Sequence, residues 1–122
     1  MNTDKIMGGS TTFTMISTRS DFQQKNPKVF AAFVSALKEA QEMIAKDKGA
    51  AADTLIASMG GSSKWSKADM VELLNDPSIK YTTKPENVMK YATFMNQIGS
   101  IKNAPKSLDE LFFVGADVAG GN

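Results

Sequence analysis

Apolar residues recur at i, i+3, i+4 and i+7 between Asn26 and Lys48, where Phe30, Phe33, Val34, Leu37, Ala40 and Ile44 are interleaved with Lys28, Lys38, Glu39, Gln41 and Glu42. The repeat predicts one long amphipathic helix over 27–48, with its apolar face anchoring a core. Asn26 is placed to accept hydrogen bonds from the first free amides, and Pro27 suits the first helical position because its missing donor would have been unpaired there anyway. Lys46 and Lys48 suit the negative end of the helix dipole, and Gly49 can adopt the left-handed conformation that stops a helix. Burying such a face is worth roughly 1.5–3 kcal/mol per large side chain before the entropy of ordering is subtracted.

A different pattern precedes it. From Ser10 to Thr18 the sequence STTFTMIST sets Phe13 and Met15 in alternation with Thr12 and Thr14, which predicts a strand over about 10–18. No second strand is predicted, so its backbone groups must pair with another chain or with strands outside this sequence. The remaining patterns are helical. Ser20-Asp21-Phe22-Gln23 has capping-box spacing and predicts a helical turn. Leu55, Ile56 and Met59 give one side to a helix over 50–59 that ends at Gly60-Gly61. Ser66-Lys67-Ala68-Asp69 opens a helix over 66–76, carrying Met70, Val71, Leu73 and Leu74 and stopping before Pro77. Ile79 and Tyr81 follow in an extended link. Pro85 begins a helix over 85–98 with Val88, Tyr91, Ala92, Met95 and Ile98 as its stripe and Gly99 as its stop. Ser107-Leu108-Asp109-Glu110 leads into a last helix over 107–113, and the small, Gly-rich tail over 115–122 is expected to be mobile.

Composition narrows the chemistry. At 122 residues and a formal charge of +1, the chain is one domain or a piece of one, with no charge excess to attract nucleic acid. It has no cysteine and no histidine, which removes disulfides, thiol nucleophiles, the commonest general base and the commonest transition-metal ligand. No metal or cofactor is expected. No apolar run approaches the roughly 20 residues of a membrane span. Met1 to Arg19 lack the pattern of a signal peptide, so the chain as written is expected to remain in the cytoplasm.

Individual candidates are weak. Gly60-Gly61-Ser62-Ser63-Lys64 has the wrong spacing for a phosphate loop and reads as a turn between helices. The eight methionines read as core filler. Trp65 either stacks on a ligand or, as such residues more often do, covers the end of a core. Asp109 and Glu110 read as favourable charge at a helix start rather than as an acid/base pair. No nucleophile, base and oxyanion site assemble, and the chain is expected not to be an enzyme.

Two long stretches nonetheless carry a resemblance. GGSTTFTMISTRSDFQQKNPKVFAAFVSALKEAQEMI, Gly8 to Ile44, and VMKYATFMNQIGSIKNAPKSLDELFF, Val88 to Phe113, resemble the strand-plus-helix and the C-terminal signature of substrate-binding proteins of nitrate/sulfonate/taurine-type ABC importers. The shared order is an Asn-Pro-Lys helix start, a helix ending in Phe94-Met95-Asn96-Gln97-Ile98-Gly99, then Ile101-Lys102, Pro105 and Phe112-Phe113. Only the last third of that family is resembled. The resemblance implies a mostly α segment with one N-terminal strand, forming a single incomplete domain that is the C-terminal part of a type II periplasmic-binding-protein α/β lobe.

It also implies function. Such proteins capture a small, often anionic solute without catalysis, close their lobes around it and deliver it to an ABC permease in the periplasm. Gly8, Gly9, Ser10, Thr11 and Thr12 then lie near the ligand cleft, where glycines admit close backbone approach and hydroxyls can donate to an anion. The exposed strand Thr11–Thr18 invites self-association or a companion chain. Two alternatives remain. One is a relative of the thiamine-pyrimidine-precursor synthases, whose activity depends on histidine that this chain lacks. The other is a free-standing helical protein-interaction module.

Overall fold

The computed structural model describes residues 3–61, 64–113 and 121. Its elements are helical throughout: α1 (Thr3–Met7), α2 (Ser20–Lys25), α3 (Pro27–Lys46), α4 (Lys48–Ser58), α5 (Lys67–Asn75), α6 (Val88–Gln97) and a 3-10 turn at Leu108–Glu110. The chain divides into two compact units, one formed by Met1–Phe22 with Thr83–Asn122 and the other by Gln23–Thr82. The predicted tail over 115–122 lies outside the described residues except for Gly121. Ser62 and Ser63 of the Gly/Ser turn lie outside them as well.

In the Gln23–Thr82 unit, α3 begins at Pro27, yet the side chain of Asn26 makes no capping bond. The helix ends two residues earlier than the periodicity predicts. Asp47, at φ −141° and ψ 92°, leaves helical geometry, and its carboxylate accepts the Ala50 amide at 2.9 Å. Asp47 therefore closes α3 and caps α4, and Gly49, the predicted stop, lies inside α4. The competing signal that decides this is an aspartate three residues before a free amide. α4 ends as expected of Gly60-Gly61: both glycines are left-handed, Gly60 N–H donates to Ala57 O and Gly61 N–H to Ile56 O. That pair of bonds is a Schellman motif.

α5 starts with a complete capping box. Ser66 Oγ accepts the Asp69 amide at 3.2 Å, while Asp69 Oδ2 accepts from the Ser66 amide at 2.8 Å and from its hydroxyl at 2.7 Å. Two rungs further on, Met70 and Leu74 sit four residues apart on one face. With Ala52 of α4 they form the buried cluster of this unit, flanked by Ile44, Ala51, Leu55, Ile56 and Val71. Ala52 is fully buried and Met70 is 2% exposed.

The periodicity of α3 promised more than this. None of its residues is buried: Phe30, Val34, Leu37 and Ile44 are half-buried, Phe33 is 49% exposed and Met43 64% exposed. Only Ile44 reaches the buried cluster, so the core of the unit rests on α4 and α5 rather than on the longest helix. The methionines divide likewise, with Met70 in the core and Met15, Met43 and Met59 at the surface. Trp65 is 58% exposed and does not close the end of a core.

The Met1–Phe22 and Thr83–Asn122 unit corrects the predicted fold class. Among the described residues there is no strand, so neither the strand over 10–18 nor the α/β lobe it implied is present. Thr12 N–H does donate to Glu86 O at 3.0 Å, but the reciprocal bond runs from Glu86 N–H to the Thr12 hydroxyl rather than to a carbonyl. A ladder needs backbone exchange on both sides, and here it stops after one step. Phe13 to Arg19 continue exposed. α2 forms where the Ser20 to Gln23 spacing predicts a turn, beginning with the Arg19–Asp21 ion pair at 2.8 Å.

α6 starts three residues later than predicted, after Asn87 in the left-handed region, because Glu86 and Asn87 are engaged by the 10–12 segment. Its end follows Gly99, with Gly99 N–H on Asn96 O and Ser100 N–H on Met95 O, a second Schellman motif. The last cap signal yields only Leu108–Glu110. Ser107 makes no side-chain cap, and the Glu110 carboxylate accepts from the Lys106 amide instead of the Ser107 amide. No described helix is long and apolar enough to cross a membrane.

Two predictions test this packing. Met70→Ala is expected to cost about 2–5 kcal/mol in urea denaturation, whereas Met43→Ala stays within about 0.5 kcal/mol. Asp69 has its pKa held below 3.8, first by the Ser66 hydroxyl and then by the Ser66 amide. Because the folded value is the lower one, this contribution is complete above the unfolded value and is lost as pH falls through the folded value. The stability difference between wild type and Asp69→Asn, followed by circular dichroism, is expected to be level above about pH 5 and to shrink below about pH 4.

Candidate functional site

The five residues singled out by resemblance, Gly8 to Thr12, form the turn that leaves α1. Gly9 N–H donates to Asp4 O at 2.9 Å, which folds the chain back on the helix end. Gly8 at φ +76° and Gly9 at φ +149° occupy conformations open to glycine and strained for other residues. Space is tight beside Gly8 and close to ordinary contact beside Gly9. A Cβ on Gly8 would lie 3.2 Å from Lys90 Nζ, and one on Gly9 would lie 3.4 Å from Asn87 Nδ2.

Three residues outside the predicted set complete the arrangement. The Asn87 amide donates to Ser10 O at 2.8 Å, Glu86 exchanges two bonds with Thr12, and the Lys90 ammonium donates to Met7 O. Asn87 itself stands at φ 55°, a left-handed position that asparagine tolerates better than most side chains. Beyond Thr12, Phe13 meets Tyr91 edge to face with ring centroids 5.6 Å apart. Glu86, Asn87 and the first turn of α6 thus hold the 7–13 segment.

The Thr11 and Thr12 hydroxyls have partners within the chain. Thr11 Oγ1 donates to Gly9 O at 3.4 Å, and Thr12 Oγ1 serves as an acceptor for Glu86 N–H, retaining its own proton for a further partner. Ser10 contributes its carbonyl to Asn87. Ser10, Thr11 and Thr12 are half-buried, Gly8 is exposed, and Lys90 brings positive charge against the exposed side of the turn. The donors at this turn, the Thr11 hydroxyl, the Asn87 amide and the Lys90 ammonium, are directed to backbone carbonyls of the chain itself.

Glu86, Asn87 and Lys90 could not be associated with Gly8 to Thr12 from sequence, because the contacts span 74, 77 and 83 positions. The signal that was present is Asn87 just before an apolar helical stripe, a residue type at home in left-handed caps. Comparison of the chain with protein-family models, curated proteins and solved structures gave no match.

Substitution at Asn87 separates its two roles. Asn87→Gly keeps the left-handed conformation and loses the amide bond, an expected cost of about 1 kcal/mol. Asn87→Ala loses both and is expected to cost about 1–2 kcal/mol more in urea denaturation. Equal losses in the two variants would remove the conformational role.

Proposed function

We propose that this chain acts as the C-terminal segment of a solute-binding protein of the nitrate/sulfonate/taurine type, non-catalytic and periplasmic, which holds a small anionic solute for an ABC permease. The observation that carries the reading is the ordered likeness of Gly8–Ile44 and Val88–Phe113 to that family. Two features support it. The beginnings of these stretches lie against each other through Phe13 and Tyr91, and Asn87, just before the second, donates to Ser10 O. The turn at Gly8 to Thr12 also brings glycines and hydroxyls beside the positive charge of Lys90.

The genome supplies the direct test. Coding sequence continuing upstream of Met1, beside permease and ATPase genes, is the expected result, and an isolated short frame would overturn the reading. Calorimetry addresses the chain itself: titration with nitrate, taurine or an alkanesulfonate is expected to give no micromolar binding, because a cleft between two lobes supplies contacts that one segment lacks. Micromolar binding to this chain alone would overturn that expectation.

The same reading gives the exposed Phe13, Met15 and Ile16 a role as a surface for a companion chain or a second copy. Sedimentation is expected to show association that Ile16→Lys abolishes; a monomer in both cases removes that partner role. A helical interaction module is the second reading. It is favoured by the absence of any strand among the described residues and by the apolar side chains that α3 leaves in solvent.

A further inference from the structure

We draw no further inference here: the strongest candidate, the exposed apolar stripe of α3 formed by Val29, Phe33, Ala36, Ala40 and Met43, carries nothing because nothing in the structure shows what covers it.

Discussion

The close approach of α4 to α5 at Ala52 gives the Gln23–Thr82 unit its interior. A methyl group at this position lets the two helices meet, and Met70 and Leu74 then fill the space around it. A larger side chain would force the helices apart, because interiors at crystal-like density have little room to adjust. Two local devices set up the contact. Asp47 turns the chain so that α4 follows α3 without a loop, and the Ser66–Asp69 box fixes where α5 starts. The starting point matters because it decides which residues, four apart, face Ala52.

Elsewhere the hydrophobic effect is only partly satisfied. α3 has an apolar arc wide enough for a fully packed helix, yet half of that arc stays in water, with Phe33 and Met43 at its edge. In the Met1–Phe22 and Thr83–Asn122 unit, hydrogen bonds and one aromatic pair hold the 7–13 segment, while Ile16, Phe94 and Ile98 remain exposed. Apolar surface is common on folded proteins, so single residues of this kind carry no message.

Some signals that act within one turn of chain were legible in the sequence, although Asn26 and Ser107 make no side-chain cap. The Ser66–Asp69 box and the helix-ending glycines at 60 and 99 have the geometry their residue types imply, because a cap needs only neighbours three or four positions away. Gly49 misled because Asp47 offered a stronger local alternative, a carboxylate on a free amide. The predicted strand failed for a non-local reason: alternating Thr, Phe and Met favours extended backbone, but a strand exists only by exchange with a neighbour, and Glu86 supplies one step of it. At the candidate site, the backbone freedom of Gly8 and Gly9 was readable. Their partners were not, since contacts closing more than seventy residues leave no periodic trace.

The junction at Asp47 also limits what this chain can tolerate. Because a single residue ends α3 and begins α4, there is no loop in which an added or deleted residue could be absorbed. A one-residue insertion within α3 near this point would rotate the preceding turns by about 100° relative to α4, carrying Phe30 and Phe33 away from their present faces. Length variation at this junction is therefore equivalent to changing the helix's orientation, and the 47th position acts as a register pin between two helices.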